Sequence, residues 1–162
     1  MSDRLEVIDA QTLPAHTRAL LQPDRVAPVS TKAEARLPRY FYKVQSWKQA
    51  WDTKLSAHFT LAELMLVDCR EAAPLLRRFP HYVPCSLSVL ARYLETFRER
   101  CEAPVFVSVN GGYRSPAHHF SGIPSLHAWG SAVDIYRIGD TWLDDEKTIE
   151  NLARFDHTDL SC

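Results

Sequence analysis

Two strand-like segments on either side of a long polar stretch constrain the fold of this chain more than any other feature of its sequence. In the first segment, Val105, Val107 and Val109 alternate with other residues until the NGG of residues 110–112 interrupts the run, as turn residues do at the end of a strand. The second segment, SAVDIYRI at residues 131–138, predicts another strand. Helical patterns precede the first strand and follow the second, so the sequence predicts an α+β fold and not a parallel α/β fold.

Two segments before these strands carry helix signals. In HFTLAELM, Thr60 is a suitable N-cap, and Glu63 three residues later completes a capping box. Phe59 and Leu64 occupy the two positions of a hydrophobic staple at the same helix start. Ser86 begins a longer predicted helix that continues to about residue 100. Its apolar residues recur at helical spacing and predict a core-facing stripe: Leu87, Leu90, Leu94 and Phe97.

The first part of the chain contains several prolines, which interrupt regular structure. We expect residues 1–40 to form an extension that is helical around Ala15–Leu21 and otherwise loosely ordered, with the main domain over residues 41–162. The aromatic-rich segment RYFYKVQSWKQAW, residues 39–51, either packs on that domain or lines a cleft. Packing is favoured because buried aromatic rings contribute large burial energies.

The last predicted helix follows the second strand. TWLDDEKTIENLARF, residues 141–155, has Thr141 or Asp144 as a possible N-cap. Leu143, Ile149 and Leu152 would face inward from it.

The overall composition excludes several classes of function. A chain of 162 residues with 46% apolar and 24% charged residues is ordinary for one globular domain, and its net charge of −1 gives no global bias toward nucleic acids or anionic membranes, so we expect neither as a partner. No apolar leader opens the chain and no stretch is long enough to span a membrane, so we expect a cytoplasmic protein. None of the four cysteines has CxxC spacing, which predicts buried or incidental thiols. The sequence does not indicate an oligomeric state.

The polar stretch between the two strands concentrates side chains that are useful in catalysis. His127 lies in this loop and Asp134 on the following strand, and both residue types bind zinc. Gly130 would permit a tight turn between them, and Ala132 would leave room beside an ion. The spacing of His127 and Asp134 alone is weak evidence for a metal site, because a core histidine followed by a strand aspartate is common.

The wider string GGYRSPAHHFSGIPSLHAWGSAVDIY resembles the zinc D-Ala-D-Ala carboxypeptidase and endopeptidase family, which carries G-Y-R-S followed by S-x-H-x-x-G-x-A-x-D. The matching positions are 112–115 and Ser125, His127, Gly130, Ala132 and Asp134, and HFTLAEL looks like the family's approach to its catalytic core. The resemblance covers roughly residues 59–134. It implies a hedgehog/DD-peptidase-like fold, with a small antiparallel sheet flanked by helices, and a bound Zn²⁺ ion.

The resemblance also implies roles for individual residues. His127 and Asp134 would be zinc ligands, and Arg114 would stabilise negative charge on the reacting peptide because its guanidinium is permanently charged. The substrate-binding residues would be Tyr113, Ser115 and Ser125. The alternatives are a surface ion pair for Arg114 and a structural role for Tyr113. We expect His118 and His119 to be solvated loop residues.

The C-terminus departs from the family pattern. The family's third zinc ligand is a histidine preceded, three residues earlier, by a carboxylate base, whereas this chain ends ARFDHTDLSC and looks shortened. If His157 is the ligand, Asp159 could orient it, but the base position holds Arg154, which cannot accept a proton. If Asp156 is the base, the ligand position falls on Asp159. The resulting hypotheses are His157 as the third zinc ligand and Asp156 as the base.

Three functions remain open at this point. The leading hypothesis is a zinc metallopeptidase that hydrolyses D-amino-acid-containing peptides, such as peptidoglycan stem peptides. The second is a catalytically inactive relative that serves as a binding module, which the unusual ending favours. The third is a phage-type endopeptidase that degrades the cell wall, which the lack of an apolar leader favours.

Overall fold

A computed structural model describes residues 4–118 and 125–143 of the chain. Among these residues the strands are β1 (Glu6–Asp9), β2 (Val26–Ser30), β3 (Ala33–Arg36), β4 (Tyr40–Val44), β5 (His81–Pro84), β6 (Val105–Val107), β7 (Ile135–Ile138) and β8 (Thr141–Trp142). The α-helices are α1 (Ala15–Leu21), α2 (Trp47–Asp52), α3 (Leu61–Glu71) and α4 (Leu87–Cys101). Two short 3-10 turns cover Ala10–Thr12 and Leu126–Trp129.

The strands form three small antiparallel sheets. β4 lies between β1 and β5, with Ile8 opposite Phe41 and Tyr42 opposite Val83. β2 and β3 pair with each other, and β7 lies between β6 and β8. Small antiparallel sheets combined with helices are compatible with the predicted α+β class.

Helix α3 provides the centre of the hydrophobic core. Its capping box is formed as predicted, because the Thr60 side chain accepts from the Glu63 backbone and the Glu63 carboxylate accepts from the Thr60 N–H. Phe59 and Leu64, the predicted staple residues, are both buried in the main core cluster. The predicted helix after Ser86 is confirmed as α4, and its stripe residues belong to or pack against the same cluster.

The prediction of a loosely ordered N-terminal segment is wrong for residues 4–40. β1 forms the edge of the β4 sheet, and Ala10 and Leu21 lie in the same core cluster as α3. The helix expected around Ala15–Leu21 is confirmed. The prolines therefore separate short elements without preventing them from packing, because the burial of apolar residues outweighs the local interruption of helix and strand.

The second predicted strand and the helix after it also need correction. β7 begins at Ile135, so residues 131–134 lead into the strand without belonging to it. Thr141 is not a helix cap. It lies in β8 and pairs with Ile138 of β7, because Gly139 turns the chain back on itself with a φ of +54°. The predicted cap Asp144 and the rest of that helix lie outside the described residues.

The described residues also bear on two other expectations, the lack of a membrane span and the state of the cysteines. No helix among them combines the length and apolar character that crossing a membrane requires. Cys69 and Cys85 are free thiols, and burial raises the pKa of Cys85 to about 11, which favours the unreactive thiol form.

Candidate metal centre

The segment from Gly111 to Ser115 lies directly along helix α3. The Tyr113 N–H donates to the Leu64 carbonyl oxygen at 2.7 Å, and the Ser115 N–H donates to Asp68 Oδ1 at 2.6 Å. Leu64 and Asp68 are one helical turn apart, so they present both acceptors on one face of α3. A Cβ on Gly112 would lie 2.3 Å from the Leu64 carbonyl oxygen, so only glycine permits this close approach.

His127 is oriented by the same segment. It lies in the short 3-10 turn that Gly130 closes with a φ of +63°. The buried imidazole places Nδ1 2.9 Å from the Gly112 carbonyl oxygen. Because a carbonyl oxygen only accepts, Nδ1 carries the hydrogen and Nε2 of the neutral ring presents a lone pair.

Asp134 is held by backbone contacts with the other end of the segment. Its N–H donates to the Gly111 carbonyl oxygen at 2.9 Å, and its own carbonyl oxygen accepts from the Ser108 N–H at 2.8 Å. A Cβ on Gly111 would lie 2.6 Å from the Asp134 carbonyl oxygen. The Asp134 side chain is 56% exposed, and its Oδ1 lies 3.5 Å from Nε2 of His127.

Arg114 completes the cluster. Its guanidinium lies 3.4 Å from Oδ2 of Asp134, and its backbone N–H donates to the His127 carbonyl oxygen at 3.4 Å. The structure therefore brings together three residues that the sequence singled out. The alternative expected for Arg114, an ion pair near the surface, describes the same contact.

The distances allow a test of whether zinc fits. Two ligand atoms on a tetrahedral zinc ion, each about 2.0–2.2 Å from the metal, lie roughly 3.3–3.6 Å from each other. The 3.5 Å between His127 Nε2 and Asp134 Oδ1 falls in that range. Over residues 4–118 and 125–143, however, no three His, Cys, Asp or Glu side chains come together as a complete ligand set. These residues fit half of a zinc site.

The predicted substrate-binding residues are placed differently from one another. Tyr113 is fully buried, and burial raises its pKa well above its ordinary value, so its hydroxyl stays protonated. Ser115 is also buried and donates its hydroxyl hydrogen to Asp68 Oδ1 at 2.7 Å. Neither placement agrees with direct contact to a substrate. Ser125 is exposed at the start of the His127 turn, where contact is possible.

His118 does not match the expectation of a solvated loop residue. It is buried, with Nε2 3.7 Å from Oε2 of Glu71 on α3. The physical reason is that the chain continues from Ser115 along α3, where the Ser115 carbonyl oxygen accepts from the His118 N–H. His119 lies outside the described residues, as do Asp156, His157 and the other residues weighed for the C-terminal part of the site.

Sequence reasoning missed a second cluster, buried behind the first. Oδ2 of Asp68 lies 3.3 Å from Nε2 of His81, an ion-pair distance without hydrogen-bond alignment, and His81 Nδ1 lies 2.6 Å from the Leu76 carbonyl oxygen. Burial alone would lower the pKa of His81, but the Asp68 carboxylate and the Cys69 sulfur raise it to about 10. The available signal was Asp68 itself, a charged residue within the apolar run LMLVDC of α3.

Searches of protein-family models, curated proteins and solved structures found no match to this chain.

Proposed function

We propose that the protein is a zinc metallopeptidase-like hydrolase that acts on D-amino-acid-containing peptides, with peptidoglycan stem peptides as the substrate class and a hedgehog/DD-peptidase-like fold. The observation that carries this proposal is the 3.5 Å separation of His127 Nε2 and Asp134 Oδ1, with the imidazole held through Nδ1 by the Gly112 carbonyl oxygen. A histidine fixed through its second nitrogen is typical of metal ligands, since that bond sets both tautomer and ring orientation.

His127 and Asp134 would hold the zinc ion. When bound there, zinc supplies a Lewis acid that makes water available as hydroxide near neutral pH. The buried His127 ring contributes a neutral ligand in one orientation, and the half-exposed Asp134 contributes a negative charge at the surface where a peptide can approach. The third ligand that the resemblance implies, His157, and the implied base, Asp156, lie outside the described residues.

Arg114 would act on the substrate. Its guanidinium contacts Asp134 Oδ2, so its positive charge lies at the same point of the surface as the proposed metal ligands. A fixed cation there favours negative charge that develops on the peptide oxygen during hydrolysis. The exposed hydroxyl of Ser125, two residues before His127, is available to bind the peptide backbone.

A second candidate is a catalytically inactive binding module with the same fold. The ion pair between Arg114 and Asp134 favours it, because the carboxylate has a cationic partner without any metal. The two candidates differ in one property, which is metal-dependent hydrolysis.

The test is hydrolysis of a D-Ala-D-Ala-terminated stem pentapeptide, followed by chromatography of the products. Protein stripped with a chelator should be inactive and should regain activity with Zn²⁺. His127→Ala should abolish the regained activity. His16→Ala, which removes an exposed histidine on α1, is the matched control and should behave like wild type. Binding of the pentapeptide without zinc-dependent cleavage would instead establish the binding module.

A further inference from the structure

We propose that Asp68 is a positioning residue, which fixes the Tyr113–Ser115 segment on α3 and thereby sets the positions of Arg114 and His127. For its catalytic consequence this inference rests on the proposed zinc site. Its structural part stands on the hydrogen bonds of Asp68 alone.

Asp68 anchors the segment at one point with two bonds. Oδ1 accepts from both the N–H and the hydroxyl of Ser115, at 2.6 and 2.7 Å. Two residues earlier, the Tyr113 N–H donates to the Leu64 carbonyl oxygen on the same helix face. Between these two anchors, the Arg114 guanidinium lies 3.4 Å from Oδ2 of Asp134.

His81 lies beside the other oxygen of the Asp68 carboxylate, with its Nε2 3.3 Å from Oδ2. The two side chains are each 1% exposed, and the imidazole is tied through Nδ1 to the Leu76 carbonyl oxygen. Buried ion pairs contribute little net stability compared with apolar residues of similar size, and some serve instead to select one conformation. Here the pair links α3 and β5 to the segment that carries Arg114.

The anchored segment then determines the position of His127. The Gly112 carbonyl oxygen, immediately before the Tyr113 anchor, lies 2.9 Å from His127 Nδ1. The Arg114 N–H contacts the His127 carbonyl oxygen. Movement of the segment off α3 would therefore displace both the imidazole and the guanidinium.

The experiment measures amide hydrogen exchange by NMR together with Zn²⁺ affinity by calorimetry. Its variants are Ser115→Ala and Asp68→Asn, the second of which keeps an acceptor oxygen but removes the charge. The matched control is Ser88→Ala, which removes a hydroxyl hydrogen bond to Tyr42 between α4 and β4. Exchange at Tyr113, Arg114 and Ser115 should rise roughly tenfold or more in both variants, because Ser115→Ala removes one of the two bonds to Asp68 Oδ1 and Asp68→Asn replaces the charged acceptor by a weaker neutral one. Amides of β1 and β4 should not change.

Zn²⁺ affinity should fall about 10–100-fold in Ser115→Ala and Asp68→Asn, as expected when support behind a metal ligand is lost, and should not change in Ser88→Ala. A uniform rise in exchange across all strands, or no rise, would overturn the positioning role and leave only a structural one. Selective exchange with unchanged Zn²⁺ affinity would overturn the link to the metal site. If wild type binds no Zn²⁺, the proposed function fails, and the exchange pattern alone still decides whether Asp68 positions the segment.

Discussion

Two clusters, each with a carboxylate, a histidine and a third polar side chain, lie against the same segment of the chain. The buried cluster, Asp68, His81 and Ser115, is enclosed between α3 and β5. The open cluster, His127, Asp134 and Arg114, has a carboxylate that is 56% exposed. An aspartate and a histidine occur in both clusters, but the exposure of the aspartate differs, and this difference decides what each cluster can do.

In the buried cluster every change of charge is costly, because water cannot replace a lost partner. In the open cluster water reaches Asp134, so its contacts contribute little to stability but leave the carboxylate accessible to an ion or a peptide. This difference predicts that mutations in the buried cluster lower the free energy of unfolding, whereas mutations of Asp134 and Arg114 leave it nearly unchanged.

The largest effect should separate the two carboxylates. Asp68→Ala leaves His81 buried without its partner and Ser115 without its acceptor, so we expect the free energy of unfolding to fall by about 3–5 kcal/mol. Asp134→Ala, at the exposed position, should change it by only about 0–1 kcal/mol. Urea unfolding followed by circular dichroism measures both, and equal losses in the two variants would contradict the distinction.

Substitution of two neighbouring glycines tests the two contacts of the segment, with α3 at Gly112 and with Asp134 at Gly111. Gly112→Ala places a methyl group against the backbone of α3, at 2.3 Å from the Leu64 carbonyl oxygen, and should cost about 1–3 kcal/mol or more. Gly111→Ala meets the Asp134 backbone instead, so it should also weaken Zn²⁺ binding. Thermal unfolding with and without Zn²⁺ distinguishes them. Full Zn²⁺ binding by a folded Gly111→Ala protein would show that Asp134 is not positioned in this way.

The pH dependence of stability should come from the buried cluster. The pKa of His81 is raised to about 10 in the folded protein, from an ordinary value of 6.5, so the folded state binds its proton more tightly. The stability that His81 contributes should be complete below about pH 6.5 and should be lost as the pH rises toward 10. Urea unfolding between these pH values should show this decline in wild type.

His81→Gln should flatten that decline, and the exposed control His16→Gln should keep it. A wild-type stability that stays constant or increases from pH 6.5 to 10 would argue against a charged His81.

The smallest effect on folding should come from Arg114. Because its partner Asp134 is exposed, Arg114→Ala should change the free energy of unfolding by less than about 1 kcal/mol. If Arg114 stabilises charge during hydrolysis, kcat should fall by about 10²–10³ in the zinc-loaded protein. Steady-state kinetics on the stem pentapeptide measures this fall, and an unchanged kcat would remove Arg114 from the mechanism.

Local signals in the sequence predicted some parts of the fold correctly. The capping box of Thr60 and Glu63, the stripe of α4 and the strand at Val105 depend on neighbouring residues, so a single segment contains the information. The ordered packing of residues 4–40 depends on distant partners in the sheet and core, which local patterns do not contain. Thr141 was misassigned because its pairing with β7 overrides a plausible helix cap.

The same distinction applies to the candidate site. The motif singled out three residues that meet, His127, Asp134 and Arg114, because they lie within about twenty positions of one another in the sequence. It did not predict that Ser115 and Tyr113 are buried against α3, since that depends on the close approach permitted at Gly112. Asp68 lies on α3 and His81 on β5, and no sequence pattern links the two residues, so their contact could not be predicted.

We propose that the open cluster binds Zn²⁺ and that the buried cluster does not. The most direct test of this claim is calorimetric titration of metal-free protein with Zn²⁺, comparing wild type with His127→Ala and with Ser88→Ala as the control. We predict one tight Zn²⁺ site in wild type and in Ser88→Ala, and loss of that site in His127→Ala. Undetectable binding by wild type, or equal binding by His127→Ala, would contradict the claim.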